Sequence, residues 1–322
     1  MSVDKNARIY VAGHRGLAGS AIVRALRAAG YENLMLRTSA EMDLTEQARV
    51  RQLFETERPE YVFDAAAKVG GINANKTLPA EFIRINLAIQ DNLIHEARRA
   101  GVKRLLFLGS NCIYPRDCPQ PIKEDYLLTG PLELTNRPYA IAKIAGLEMC
   151  WAYNRQYGTR FGAPMPTNLY GPNDSYDPEQ SHVISAFIRK FYEAQKTGAK
   201  SVIAWGSGTP RREFLHSDDM AAACLHLANL SDADWDALFP LTRAPIVNLG
   251  TGTDQTIAEL AETVRRALGA TARIEWDRTK PDGTPRKLCD SSRMLATGWR
   301  PKIDLDAGIR ALIPELDKRF GA

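Results

Sequence analysis

Nowhere in the 322 residues does an apolar run reach the roughly 20 needed to cross a bilayer. The opening residues Met-Ser-Val-Asp-Lys-Asn carry no secretory apolar core, so the expected compartment is the cytoplasm. Cysteine is scarce: Cys112, Cys118, Cys150, Cys224 and Cys289 are five in number, with no CxxC pair. An odd count without that spacing argues against a disulfide framework or a zinc site, and no metal is expected. A dominant charge is missing as well. Lys and Arg total 42 against 38 Asp and Glu, a net charge of +4 not gathered into a block. That is too little for a nucleic-acid partner but suits an anionic small molecule. There is no internal repeat and no low-complexity tract.

What is present is the composition of a globular chain, 44% hydrophobic and 25% charged, long enough for one large domain or two ordinary ones. In the first half, short apolar runs alternate with helical spacing. Strands are expected at 8–12, 33–36, 61–65 and 104–108, and helices at 17–29, 81–100 and 139–157. This alternation predicts an α/β fold, a doubly wound parallel sheet of Rossmann type covered on both faces. From Pro164 the texture changes, with Pro166, Pro172 and Pro178 crowding a segment rich in Asn, Gly and Tyr. A boundary or functional loop belongs there. The expected division is 1–167 for a dinucleotide domain and 168–322 mainly for a smaller α/β substrate domain. Segments near 213–230 and 246–252 return to the first.

Gly13-His14-Arg15-Gly16-Leu17-Ala18-Gly19 is GxxGxxG between an expected strand and an expected helix. Glycines there let the backbone turn and approach a pyrophosphate, and the helix start offers free N–H groups. The second strand ends in Arg37 rather than the acidic residue that an NAD ribose favours. Arg37 and Arg15 together could hold a 2′-phosphate, so NADP is the expected cofactor. Asp43 is a candidate for the adenine amino group.

Tyr139-Ala140-Ile141-Ala142-Lys143 is YxxxK, placing both groups on one helix face. Reduction of a ketone needs a proton donor. A lysine ammonium beside the phenol is expected to pull its pKa down from about 10. The pattern alone is common. It gains weight from Gly109-Ser110 at the carboxyl end of the 104–108 strand, where ligands of open α/β sheets bind. Ser110, then Tyr139, then Lys143 is the order of a short-chain dehydrogenase triad.

Seven stretches carry a closer resemblance. GHRG at 13–16, AAAKVGG at 65–71, GSNCIYP at 109–115, PYAIAK at 138–143, MPTNLYGP at 165–172, WGSGTP at 205–210 and KPDGTPRK at 280–287 are similar to the GDP-L-fucose synthase family of extended short-chain dehydrogenases. The similarity runs from about residue 9 to 299. It implies 3,5-epimerisation of a GDP-4-keto-6-deoxy-sugar followed by NADPH-dependent reduction at C4. Cys112 would be the base of the inversions and His182 the acid; Ser110, Tyr139 and Lys143 would serve the reduction. A cysteine by itself is more often a small buried hydrophobe, and the family pattern is what singles out Cys112 over Cys118. Cofactor contacts are implied for Gly13, Arg15, Gly16, Leu17, Gly19, Arg37, Asp43, Ala66, Lys68, Tyr139, Lys143, Pro166, Asn168, Leu169 and His182. Substrate contacts are implied for Lys190, Trp205, Arg212, Asp282 and Lys287, with Arg212 on the diphosphate. A homodimer paired through the helices at 81–100 and 139–157 is also implied.

Three positions depart from the family pattern. Asn111 stands for a serine, Lys190 for an arginine on the nucleotide, and Ser39 for an arginine near the cofactor phosphate. Lys190 keeps the charge and loses the bidentate fork. Two rival readings remain at this level. One is another nucleotide-sugar epimerase, dehydratase or reductase; Asn111 and Cys112, where a dehydratase wants an acid, and Arg37, where an NAD epimerase wants one, speak against the first two. The other is a non-catalytic NADP sensor on the same fold, which would not need the retained triad.

Overall fold

The computed structural model describes residues 3–177, 181–280 and 282–321, with the side chains of 72 and 73 left aside; Pro178 and Pro281 therefore lie outside the described residues. Six strands form one wholly parallel sheet in the order Ile246–Leu249, Phe161–Pro166, Arg104–Phe107, Tyr61–Asp64, Ile9–Ala12, Leu34–Met35. Parallel strands covered on both faces read as continuous apolar runs, and these do. Alternate residues feed two cores. Ile9 and Val11 enter one, with the helices Leu17–Ala28 and Ser217–Ala228. Tyr10 enters the other, with Gln47–Glu57, Pro79–Arg99 and Arg137–Tyr157. The expected strand at 33–36 shrinks to two residues. Two helices begin two residues earlier than their spacing predicts, because Pro79 and Pro138 sit in the first turn, where a missing N–H costs nothing.

After the fifth strand the chain leaves the sheet and comes back. Ser217–Ala228 packs on Leu17–Ala28, and Ile246–Leu249 adds the sixth strand. The buried Arg104 side chain fastens the first return: its guanidinium donates to the carbonyls of Ala228 at 2.8 Å and Leu230 at 2.7 Å, and to Asp232 at 2.7 Å. These carbonyls belong to a helix end that would otherwise lack partners. Met294 and Trp299 also join this core. A third core, built from the helices Val183–Thr197 and Ile257–Ala267 and the segment 305–316, lies apart from the sheet. Beside it run short strand pairs: Ser201–Trp205 with Arg273–Asp277, and Arg211–Arg212 between Gln255–Thr256 and Arg286–Lys287.

The connections part at the first strand, which has the second on one side and the third on the other. A crevice opens at the carboxyl ends where such a reversal occurs. Gly13, Ala65–Ala67, Gly109-Ser110 and Thr167 all follow strands at this end.

Candidate active site

The glycine loop leaves the first strand with Gly13 at φ +74°, a conformation that disfavours any side chain. A Cβ on Gly19 would run into the Gly13 carbonyl, so this glycine lets the helix close on the strand. Gly16 differs: its Cβ position is open, with the Gly13 oxygen 3.6 Å away. The helix Leu17–Ala28 that follows has no side-chain cap and no acidic residue in its first turn. Free N–H groups, an open backbone approach and the exposed Arg15 make a cradle that fits a pyrophosphate. Arg37 is held by Glu57 at 2.6 Å and by its neighbour's carbonyl at 3.0 Å. The His14 ring lies by the Arg37 backbone, and burial with the adjacent Arg15 lowers its pKa. Both arginines thus stand at one end of the cradle, which fits a 2′-phosphate. Asp43 accepts from the Thr45 N–H at 2.9 Å and hydroxyl at 2.8 Å, which lowers its pKa.

Of the other residues expected near a cofactor, Ala66 donates its N–H to Asp64 at 3.1 Å. Lys68 is braced by Asn86 at 2.9 Å and pairs with Glu81 at 2.5 Å. Pro166 ends the fifth strand; Asn168 and Leu169 start the strand Asn168–Tyr170, which pairs with Phe214–His216, and Asn168 donates to the Glu213 carbonyl at 2.8 Å.

Ser110 begins a single 3-10 turn, Asn111–Ile113, and accepts the Cys112 N–H at 3.3 Å. Its hydroxyl also lies beside the Tyr139 side chain and works to lower its pKa. The half-buried Cys112 thiol lies close enough for its charge to act on both Tyr139 and Arg212. Ser110, Cys112, Tyr139 and Arg212, spread over 103 positions of sequence, therefore meet in one place. Arg212 is fixed by the Thr284 carbonyl at 2.6 Å and the Arg211 carbonyl at 2.8 Å. Phe82 meets the Tyr139 ring edge-on at 6.3 Å between centroids.

One expectation fails. Tyr139 has its pKa raised, not lowered: burial dominates, the Cys112 charge adds to it, and the Ser110 hydroxyl only partly opposes them. Lys143 is not among the groups acting on it. The lysine is buried, 3% exposed, and donates to the Leu108 carbonyl at 2.8 Å while sitting 4.4 Å over the Phe107 ring. Burial brings its pKa down to about 8, and Asp64 works against that fall.

His182 lies on a different element from the four. It is exposed at the start of the helix Val183–Thr197, near the buried Asp174 carboxyl. Trp205 is 56% exposed at the end of its strand, with Lys190 at 5.9 Å and Lys280 at 5.2 Å from the ring centroid. Lys190 donates to the Ile203 carbonyl at 2.9 Å, and burial lowers its pKa. Asp282 accepts from the Ser207 N–H at 2.9 Å and hydroxyl at 2.7 Å. An exposed aromatic face ringed by ammonium groups suits a nucleotide base and its phosphates. Lys287, on the strand beside Arg212, is also near enough to Cys118 and Cys289 for its charge to act on them. Sequence reasoning missed Asp64 and Glu213. Glu213 is fully buried and gathers the N–H groups of Gly252 at 2.7 Å and Cys289 at 3.0 Å. Asp64 is a carboxylate interrupting the apolar run 61–67, a signal that was there to read.

Known proteins show what this arrangement is similar to. The description of the NAD dependent epimerase/dehydratase family matches residues 9–237. GDP-L-fucose synthase 1 of Arabidopsis thaliana is 55% identical over 306 residues, 95% of this chain and 92% of that protein. The GDP-L-fucose synthase of Escherichia coli K12 is 51% identical over 303 residues, 94% of each. Among solved structures, a GDP-mannoheptose C4 reductase from Campylobacter jejuni with NADP bound superposes with a TM-score of 0.88 at 38% identity, over 98% of this chain and 99% of that one.

Proposed function

The chain belongs to the NAD dependent epimerase/dehydratase family, and from that premise we propose that it converts GDP-4-dehydro-6-deoxy-D-mannose to GDP-L-fucose, by 3,5-epimerisation and then NADPH-dependent reduction at C4. The observation that carries the reading is the convergence of Cys112, Ser110, Tyr139 and Arg212. A ketone at C4 acidifies the hydrogens on C3 and C5. Cys112, as thiolate, takes the first proton, releases it to solvent and takes the second, and each time the electron pair moves onto the C4 oxygen. Ser110 and Tyr139 steady that oxygen by hydrogen bonds aimed where charge develops. His182 returns a proton to the opposite face, a task its ring suits near neutral pH. Arg212 holds the diphosphate and so fixes the sugar against the thiol.

Bound NADPH supplies the hydride that C4 accepts. Gly13, Gly16, Leu17 and Gly19 hold its pyrophosphate, Arg15 and Arg37 its 2′-phosphate, and Asp43 its adenine. Ala66, Lys68, Pro166, Asn168, Leu169 and His182 complete its surroundings. Tyr139 gives its proton to the C4 oxygen; in the free protein Lys143 does not act on the phenol. Tyr139 must become easier to ionise for this step, which requires the Lys143 ammonium to act on it. The guanine stacks on Trp205, with Lys190, Asp282 and Lys287 around the nucleotide.

The test is the mass of the product formed from GDP-4-keto-6-deoxymannose and NADPH in deuterated water. Solvent deuterium at both C3 and C5 is the expected result. A reduced product without carbon-bound deuterium favours a second reading, a plain C4 reductase, which the similarity to the GDP-mannoheptose C4 reductase supports.

Within this proposal, residues 1–167 with the returns near 213–230 and 246–252 serve the cofactor, and the rest of 168–322 mainly the substrate. Among the described residues no helix is long and apolar enough to cross a membrane, and the site of action is the cytoplasm. The active form is a homodimer paired through Pro79–Arg99 and Arg137–Tyr157. The exposed Leu87, Ile141 and Tyr157 support this pairing, and a monomeric mass by light scattering would count against it.

A further inference from the structure

The reduction described above leaves one buried acid beside the site unused. Asp64 closes the strand Tyr61–Asp64 and is wholly buried. One carboxylate oxygen accepts the Ala66 N–H at 3.1 Å; the other is buried without a hydrogen-bond partner. A single N–H does not compensate a desolvated carboxylate, and a leucine would fill the place without that cost.

The sheet shows what the carboxylate faces. Asp64 is in register with Phe107, and cross-strand partners point to the same face. On that face lies the helix Arg137–Tyr157, whose Gly146 abuts the Phe107 ring and whose Lys143 sits over it. The backbones are tied in the same order: the Leu108 N–H donates to the Asp64 carbonyl at 3.0 Å, and the Leu108 carbonyl takes the Lys143 ammonium at 2.8 Å. We propose that Asp64 is a positioning residue for the reduction, a buried carboxylate that supplies the Lys143 ammonium with its counter-charge from the sheet side. The assignment rests on the C4 reduction proposed above.

The Asp64 charge also reaches other ionisable groups on the packed elements. Tyr10 faces it from the first strand and Cys150 from the helix, and burial raises both, so each is neutral at working pH. Gln90, on Pro79–Arg99, abuts the same Gly146 and carries no charge. Lys143 is the cation that acts on Asp64. Burial lifts the acid to about 6, and the lysine's charge opposes that rise. Between about pH 6 and 8 both groups therefore carry charge. Without the carboxylate, burial alone governs Lys143, and it loses its proton at lower pH. The consequence lies on the alkaline side of the reduction, where an uncharged lysine no longer acts on Tyr139.

The experiment uses the full chain with 13C at the lysine ε-carbon, as wild type and as Asp64→Asn, which keeps an acceptor for Ala66. Lys143→Arg identifies the Lys143 signal, which is titrated by NMR; the pH profile of kcat for reduction of the GDP-4-keto-sugar is measured beside it. The expected result is a Lys143 midpoint at least one pH unit lower in Asp64→Asn, with the alkaline limb of kcat shifted equally. For a shift from about 8 to about 7, kcat at pH 8.5 falls roughly eightfold and at pH 6.5 stays within about twofold. Asp64→Leu, an apolar filling of similar size, makes the same comparison where Asp64→Asn does not fold. An unmoved Lys143 midpoint in a folded variant overturns the pairing. A moved midpoint with an unmoved kcat limb, or a loss of kcat equal at every pH, overturns the role in reduction. A wild type that does not reduce the sugar removes the reaction, while the NMR titration still reads the pair by itself.

Discussion

Two glycines three residues apart, in the same loop, should fail in opposite ways. Gly19 is buried, and an added methyl would meet only backbone: the Gly13 carbonyl carbon at 2.6 Å and the His14 Cα at 2.9 Å. No side chain is there to move aside, so Gly19→Ala must push the helix Leu17–Ala28 off the first strand. Overpacking of this kind costs about 1–3 kcal/mol, and for a chain of this size that lowers Tm by roughly 2–4 °C. At Gly16 the nearest atom is at 3.6 Å and φ is −77°, an ordinary value for alanine. The weaker helix start with alanine and the lower entropy of its unfolded chain offset each other to within about 0.5 kcal/mol. What the methyl at Gly16 obstructs is the approach of a pyrophosphate to the helix N-terminus. Gly16→Ala should therefore melt within about 1 °C of wild type and bind NADPH at least about tenfold more weakly, a loss of about 1.4 kcal/mol. Melting curves with and without NADPH, and a fluorescence titration of the cofactor, separate the two effects. A Gly16→Ala protein that melts low yet binds NADPH normally would refute the division of roles, as would a Gly19→Ala protein of wild-type stability.

Other consequences follow from single side chains. Cys112→Ser should abolish deuterium incorporation at C3 and C5 while the site still binds NADPH, read by mass spectrometry and by cofactor fluorescence. Trp205→Ala should raise KM for the GDP-sugar on the order of tenfold with kcat little changed, since stacking on the base holds ground and transition states alike; an unchanged KM would remove Trp205 from the nucleotide site. Arg37→Ala should lower the preference for NADPH over NADH on the order of 10–100-fold in kcat/KM, by loss of a charge-assisted contact to the 2′-phosphate. Arg104→Ala should cost about 3–5 kcal/mol in denaturant unfolding, because it leaves the buried carbonyls of Ala228 and Leu230 without their donor; a loss below about 1 kcal/mol would show that the returning helix is held by its apolar face alone.

The sequence by itself determined the parallel sheet, because strands buried on both faces must be apolar throughout and the helices between them must carry a stripe. It also marked the cofactor end, since GxxGxxG between a strand and a helix leaves few other uses for three glycines. Ser110, Cys112, Tyr139 and Arg212 could be named from their motifs, but only folding brings strand ends from distant parts of the chain to one crevice. The pKa of Tyr139 was misjudged for the same reason. Four residues along a helix share a face, yet the depth to which Tyr139 is buried, and the turn of Lys143 toward Leu108 and Asp64, depend on the sheet beneath that helix. Spacing along a chain fixes which groups can be neighbours. Solvation and counter-charge, which decide what those neighbours do, are properties of the packed interior, and there Asp64 becomes the partner that no motif near Lys143 announces.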